Sequence, residues 1–338
     1  MSSTTSQNLT TVPFGTTDMA ITRVGFGAWA VGGGDWAFAW GPQDDDEAIA
    51  AIRHAVESGI NWIDTAAVYG LGHSEEVVAA ALAGIPETDR PYVFTKCGLV
   101  WDETDRSIEP RRVGNPASIR REVESSLRRL NVERIDLYQM HWPAEDGAEL
   151  ADYWQALLDL KAEGKVRAVG LSNHGVEQLE AAEALGHVDT LQPPFSAIHR
   201  ETAELLPWTR AHDTAVIVYS PMMSGLLTGA FTRERVAALP TDDWRRTSAD
   251  FTTKLDANLA VAHALRTVAE RHDITQPAAA VAWTLAFNGI TGAIVGARSP
   301  KQVDGWLAAA STRLTADDID TVADAIGAQA AGEGPLRP

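Results

Sequence analysis

Four side chains in this sequence are spaced as an acid–base set: Asp64, Tyr69, Lys96 and His141. Asp64 ends the apolar run Asn61-Trp62-Ile63-Asp64, and Tyr69 follows five residues later in a glycine-flanked loop. Lys96 stands near the end of Val93-Phe94-Thr95-Lys96-Cys97, and His141 near the end of Leu137-Tyr138-Gln139-Met140-His141-Trp142-Pro143. A tyrosine, with an ordinary pKa of about 10, is a poor proton donor at neutral pH. An ammonium beside it favours the phenolate and lowers that value, so Lys96 is expected to tune Tyr69. Asp64 would keep Lys96 charged and in place, and His141 would hydrogen-bond and orient a substrate oxygen. Reduction of a carbonyl group needs such a set. It needs no metal: HExxH is absent and the nine histidines are dispersed.

These side chains must be brought together by the elements that carry them. Strand-like runs begin near Val24, Ile60, Tyr92, Ile135, Val166, Asp189, Ala215 and Ala293. Between them lie amphipathic stretches such as Asp44–Ser58, Ser74–Ala83, Ala117–Leu130, Ala148–Glu163, Val176–Leu185 and Thr202–His212. Eight βα units with short connections and no break in composition predict an α/β fold, a single (β/α)8 barrel over residues 1–328. A doubly wound open sheet is the alternative. In a barrel the C-terminal strand ends converge on one rim, where active sites lie. Asp64, Lys96 and His141 would then meet from the second, third and fourth strands.

Two parts depart from the βα period. Thr11–Thr22 is expected to form a hairpin across the barrel bottom. Met222–Thr253, after the seventh strand and before helix Leu255–His272, is too long for filler and reads as a lid or binding loop over a cofactor. The tail 329–338, rich in Ala, Gly and Pro, is expected to be disordered.

At 338 residues and 45% hydrophobic, the chain can bury a large core. Its net charge of −18 argues against nucleic acid and anionic membranes as partners, since both repel an acidic surface. No apolar run reaches the roughly 18–20 residues that cross a bilayer. The Ser/Thr-rich start, Met1 to Val12, lacks the basic and apolar regions of a signal peptide. The lone Cys97 excludes an intramolecular disulfide. A soluble cytoplasmic protein with a small-molecule partner is expected.

Two motifs are declined on geometry. Gly25-Phe-Gly27-Ala-Trp-Ala30 fits the dinucleotide pattern GxGxxG/A, but that pattern needs a helix opening at the glycines. Trp29 to Pro42 is instead crowded with Gly and Trp. Tyr92 and Lys96 match a YxxxK pair that works only on a helix. In a strand that spacing puts them roughly 13 Å apart.

The chain resembles the aldo-keto reductase superfamily from about Val12 to Ala310. The matching segments are Asp64-Thr-Ala-Ala-Val-Tyr69-Gly-Leu-Gly-His-Ser-Glu-Glu, Thr95-Lys96, Gln139-Met-His141-Trp-Pro, Gly164-Lys-Val-Arg-Ala-Val-Gly-Leu-Ser172-Asn173, Tyr219-Ser220-Pro221, Gly225-Leu226-Leu227 and Gly296-Ala-Arg298. The tyrosine segment and the long late loop resemble the bacterial and channel-subunit-like branches more than the animal aldose reductases. The resemblance implies an eight-stranded barrel that binds a nicotinamide cofactor across its rim, with Asp64, Tyr69, Lys96 and His141 as tetrad and Tyr69 as proton donor. It implies that Ser172, Asn173 and Gln192 hold the nicotinamide carboxamide and that Tyr219 stacks on the ring. Ser220, Pro221, Met222, Gly225 and Leu227 would follow the pyrophosphate, and Gly296, Arg298 and Gln302 the adenosine end.

Departures from the family pattern fall at that adenosine end. Ala230 stands where these relatives carry a lysine, and Gly305-Trp306 where they carry Glu-Asn. NADP(H) is expected over NAD(H), because Arg298 in Gly296-Ala-Arg-Ser-Pro300 offers a cation at a helix start against the acidic background. Trp29, Trp101 and Trp142, with Trp36 and Trp40, fall in or near rim loops and suggest an aromatic substrate pocket, which suits sugars, aromatic aldehydes and flat ketones alike. The expected activity is reduction of an aldehyde or ketone to an alcohol, or the reverse. The alternative is a redox-sensing regulatory subunit such as some relatives form on potassium channels. An acidic chain without an N-terminal inactivating extension favours the free enzyme.

Overall fold

The computed structural model describes residues 9–34, 36–240 and 243–338. The Ser/Thr-rich start lies, through residue 8, outside them. Strands β1 (Thr11–Pro13) and β2 (Ala20–Thr22) pair antiparallel as the expected hairpin. Then follow β3 (Val24–Gly27), β4 (Trp62–Asp64) and β5 (Tyr92–Cys97), a small rim hairpin of β6 (Leu99–Val100) and β7 (Arg111–Arg112), and β8 (Ile135–Met140), β9 (Val166–Ser172), β10 (Thr190–Gln192), β11 (Ala215–Val218) and β12 (Gly292–Gly296). The eight long-range strands form a closed parallel barrel, β3-β4-β5-β8-β9-β10-β11-β12, sealed where Val295 of β12 pairs with Phe26 of β3. The open-sheet alternative is thereby excluded.

The helices are α1 (Asp45–Glu57), α2 (His73–Leu82), α3 (Pro116–Leu130), α4 (Leu150–Ala162), α5 (Val176–Glu183), α6 (Leu206–Ala211), α7 (Arg233–Ala237), α8 (Leu255–Arg271), α9 (Gln276–Leu285), α10 (Pro300–Leu307) and α11 (Ala316–Gln329). Local chemistry starts and stops them. Asp44 caps α1 by accepting from Glu47 N at 2.9 Å, and three acids in the first turn suit the positive helix end. Helix α3 starts with Pro116 behind an Asn115 cap, buries Ile119, Val123, Ser126 and Leu130 on one stripe, and ends at Asn131 in the left-handed conformation.

Side chains two apart on a strand share a face, so the barrel interior is built in layers. The lowest holds Trp62, Phe94, Leu137 and Ala168, closed from below by the hairpin residue Phe14, which stacks on Phe94 at 5.4 Å. Burying an aromatic there is worth about 1.5–3 kcal/mol. The Trp62 ring fills the space inside Gly25, where a Cβ would lie 2.2 Å from Cε2. The first glycine of the declined dinucleotide motif is therefore a barrel-packing residue. One layer higher, the same face carries Asp64, Lys96 and Gln139, and so places polar groups above an apolar plug.

One segment gains internal detail and one expectation needs correction. The stretch 222–253 holds short turns, Leu226–Thr228, Trp244–Arg246 and Ala249–Phe251, besides α7. Its Leu226, Leu227, Phe231, Val236 and Phe251 are buried, so apolar packing organises it where no periodic pattern does. The tail is also bound rather than disordered. The buried Arg200 guanidinium donates to the carbonyls of Ala331 (3.0 Å), Gly332 (3.3 Å) and Pro335 (2.9 Å). A buried cation needs such acceptors, and the tail supplies them.

Candidate active site

Asp64 closes β4, Lys96 lies in β5, and His141 directly follows β8, whose neighbour is β5. The barrel register brings their ends to one rim. Lys96 Nζ donates to Asp64 Oδ1 at 2.6 Å and to Thr65 O at 2.9 Å, with both side chains almost wholly out of solvent. Gln192 Nε2 donates to the other Asp64 oxygen at 2.9 Å. Burial pushes the Asp64 carboxyl up and the Lys96 ammonium down, each resisted by the other.

Tyr69 opens the turn Tyr69–Gly72, where Gly70, Leu71 and Gly72 all have positive φ (62°, 58° and 103°). Only glycine fits at Gly70, since a Cβ there would sit 2.0 Å from Gly32 O. That close approach locks the turn against the loop after β3. Lys96 Nζ lies 5.2 Å from the Tyr69 ring centroid, and the His141 ring meets Tyr69 edge-on at 5.7 Å. The four residues are thus brought together. The expected direction of the phenol's pKa is not: burial pushes Tyr69 well above its usual value, and Asp64 and Tyr219 add to the rise. Desolvation outweighs the ammonium, because Asp64 already neutralises it. The phenol stays protonated. Burial likewise holds His141 neutral, helped by Lys96 and Arg112.

The residues assigned to a nicotinamide gather at the ends of β9, β10 and β11. Ser172 Oγ donates to Gln192 O at 2.8 Å, and Asn173 Nδ2 donates to His141 O at 3.0 Å. Tyr219 OH donates to Asn173 Oδ1 at 2.8 Å, so the Asn173 amide is engaged on both sides. After Tyr219 the backbone turns sharply, with positive φ at Ser220, Met223, Ser224 and Gly225. Pro221 is buried and Met222 half-buried, while the Leu227 side chain lies in the core, which leaves only its backbone to face a ligand.

At the adenosine end, Gly296 is exposed at the tip of β12, and a Cβ there would meet only Gly27 O at 3.8 Å. Arg298 is not paired with Asp304, which instead contacts His54 at 2.7 Å. Its backbone N–H donates to Gln302 Oε1 at 2.8 Å. Its guanidinium reaches the loop after β3, through Nε to Gln43 Oε1, Nη1 to Trp40 O and Nη2 to Pro42 O. Trp306 is buried, so the missing Asn is replaced by a core residue.

Trp29 stacks on Tyr69 at 6.1 Å and clusters with Trp36, Leu71, Leu99 and Trp101. Trp142 lies apart from that cluster, under the Arg112 guanidinium at 4.5 Å. A cleft of about 600 Å³ opens between Trp36 and Ala37 on one side and Thr104–Ser107 on the other, beside the Tyr69 turn that Arg106 contacts at Gly70 O. Another cavity, about 300 Å³ between the lid and α8, holds none of the assigned residues.

The sequence reading missed several neighbours. Gln139 Oε1 accepts from Gln192 Nε2 at 3.4 Å, and its place two residues before His141, on the strand face that Ile135 and Leu137 make apolar, was a usable signal. Buried Glu75 accepts from Thr95 Oγ1 and from Arg129 Nε, each at 2.7 Å, directly behind Lys96. His174, held near pKa 4 by burial, fixes the turn after β9 through Ser172 O and Tyr153 OH, both at 2.8 Å.

Comparison with known proteins agrees with this architecture. Residues 23–326 match the Aldo/keto reductase family. The chain is 35% identical over 321 residues to the NADH-specific methylglyoxal reductase of Escherichia coli (strain K12), covering 91% of this chain and 95% of that one. It is 33% identical over 322 residues to aldo-keto reductase YhdN of Bacillus subtilis (strain 168), covering 92% and 94%. The solved glycerol dehydrogenase AKR11B4 from Gluconobacter oxydans superposes with a TM-score of 0.86 at 36% identity, covering 96% of this chain and 97% of that one.

Proposed function

The chain belongs to the aldo/keto reductase family, and on that premise we propose that it reduces a small aldehyde or ketone to an alcohol, or runs the reverse, with NADP(H). The observation that carries this reading is the buried Lys96–Asp64 pair beneath a protonated phenol at the barrel rim. A bound nicotinamide supplies the hydride to the carbonyl carbon, or accepts it in reverse. Tyr69 gives its proton to the carbonyl oxygen and becomes a phenolate. Lys96 then stabilises that phenolate, a charge that exists only late in the reaction. Its function is thus to lower the phenolate's energy, rather than to ionise the resting tyrosine. Neutral His141, edge-on to Tyr69, hydrogen-bonds the same oxygen and sets its direction.

The residues present fit a nicotinamide. Ser172, Asn173 and Gln192 set a hydroxyl and two amides at the ends of β9 and β10, with Asn173 held by the Tyr219 hydroxyl, and their side-chain oxygens can accept from the N–H groups of a carboxamide. Gln192 keeps Oε1 as an acceptor once Nε2 is used by Asp64. Pyrophosphate would lie along Ser220–Leu227, and the adenosine end near Gly296, Arg298 and Gln302. NADP(H) is preferred because Arg298 offers a cation beside the start of α10 in a chain of net charge −18. The preference is modest, since a 2′-phosphate must displace partners that Arg298 already holds. Trp29 and Trp101 shape an aromatic pocket over Tyr69, while Trp142 stands apart from it under Arg112. The single buried Cys97 suits a reducing cytoplasm.

The test is loss of NADPH and NADH absorbance with methylglyoxal, aromatic aldehydes, flat ketones and sugars, and its gain with glycerol. Substrate-dependent turnover on at least one carbonyl is expected. No turnover with either cofactor across that panel would sink the proposal.

A further inference from the structure

The loop after β3 crosses the rim and ends in a fixed strap, Trp40 to Gln43. Asp44, the next residue, caps α1, so Gln43 cannot drift. At the other end Trp40 meets Trp29 at 5.3 Å and Trp244 of the lid at 6.1 Å, and Arg245 covers its ring at 5.5 Å. The strap is therefore anchored independently of Arg298. Yet all three guanidinium nitrogens of Arg298 donate to it, and Gln43 Nε2 returns a bond to Arg298 O at 3.2 Å.

An arginine grips phosphate best with two parallel N–H groups. Either fork of this guanidinium, Nε with Nη2 or Nη1 with Nη2, includes a nitrogen already given to Pro42 O. The side fork also includes the one given to Gln43. Pro42 contributes a backbone carbonyl that side-chain substitution elsewhere leaves in place. Gln43 contributes a side chain, and so is the adjustable competitor.

We infer that Gln43, by competing for Arg298, sets how strongly this chain distinguishes dinucleotides with a 2′-phosphate from those without. The inference rests on the cofactor site proposed above. It names a residue outside the tetrad and outside the carboxamide and pyrophosphate positions. Removing the competitor frees Nε for a charged acceptor. Gln43→Ala should raise the ratio of NADP⁺ to NAD⁺ affinity by about tenfold, the worth of one charge-assisted hydrogen bond. Gln43→Glu should lower it by a similar factor, since a carboxylate binds the guanidinium more firmly and repels the phosphate. The opposite signs separate competition from general damage to the strap.

The experiment is titration calorimetry of the full-length protein and both variants with NADP⁺, NAD⁺, 2′,5′-ADP and AMP. The pair 2′,5′-ADP and AMP, which differ only by the 2′-phosphate, isolates the adenosine end. Opposite shifts in the two variants, present in both pairs of ligands, are the expected result. If wild type binds the dinucleotides and neither variant moves the ratio by more than about twofold, or both move it the same way, the inference is overturned and the cofactor site stands. If wild type binds neither dinucleotide, both fall.

Discussion

Removing Lys96 should cost stability in a way that depends on pH and can be reversed without restoring activity. In Lys96→Met the Asp64 carboxylate stays buried and keeps one neutral side-chain donor, the Gln192 amide at 2.9 Å. Stripping one member from a buried ion pair costs about 3–5 kcal/mol, because the remaining charge is uncompensated. Protonation bounds that cost. Neutralising a carboxyl whose ordinary pKa is 3.8 costs about 5 kcal/mol near pH 7.5 and about 2 kcal/mol near pH 5.5, at about 1.4 kcal/mol per pH unit. With the ammonium gone, the folded-state pKa of Asp64 lies above its unfolded value. The unfolded chain then releases this proton first, stability falls as pH rises through that window, and acid restores it.

The reference is Lys96→Met/Asp64→Asn, in which nothing at this site titrates. Urea unfolding at both pH values measures the gap between single and double variants. The gap should be about 3–5 kcal/mol near pH 7.5 and no more than about 2 kcal/mol near pH 5.5. Both variants should lack turnover, since neither has an ammonium beside Tyr69. Equal stability of the two variants at both pH values would refute the buried-charge reasoning. Wild-type turnover in either would remove Lys96 from the proposed chemistry.

Tyr69→Phe should lower kcat by about 10²–10⁴-fold while cofactor affinity stays nearly unchanged, because the phenol donates a proton but lies off the nucleotide path. Retained turnover would dismiss it as proton donor. Arg298→Ala should weaken NADP(H) binding by about 1.5 kcal/mol, the low end for a charged hydrogen bond because its existing partners are lost too, with little change for NAD(H). Calorimetry showing equal losses for both cofactors would show that Arg298 does not read the 2′-phosphate. His199 bonds Asp250 of the lid at 3.0 Å, which raises its pKa against burial, with Glu201 adding to the rise and Lys254 opposing it. That stabilisation is full below about pH 6.5 and lost as pH rises through the raised value. The Tm gap between wild type and His199→Gln should therefore be wider near pH 6 than near pH 9, and a gap that did not change would exclude the clasp.

The barrel was legible because it rests on periodicity. Strand starts at Val24, Tyr92, Ile135, Val166 and Ala215 coincide with the residues found, since an apolar run between turn-forming residues has few other ways to bury itself. The meeting of Asp64 and Lys96 at the rim was legible for a related reason. Trp62 and Asp64, and Phe94 and Lys96, are same-face pairs, so a plug residue foretells a rim residue one layer up. The direction of the Tyr69 pKa was not legible. It depends on how completely the whole rim excludes water, which no local spacing records.

The packing within the loop after β11, the bound tail and the strap were not legible, for a different reason. Arg200 is satisfied by the carbonyls of Ala331, Gly332 and Pro335, and Arg298 by those of Trp40 and Pro42. Every residue carries a carbonyl, so contacts of this kind leave no mark in residue type. An arginine in a glycine-rich turn therefore looks the same in sequence whether it waits for a phosphate or already grips a strap. Only its neighbours decide, and among the described residues Gln43 supplies the one side-chain acceptor for the guanidinium. The proposed tetrad is written in residue identity because proton transfer needs particular functional groups. On the inference drawn for Gln43, cofactor discrimination is written in who else competes for one guanidinium, and so it could shift between relatives while the proposed tetrad stays the same.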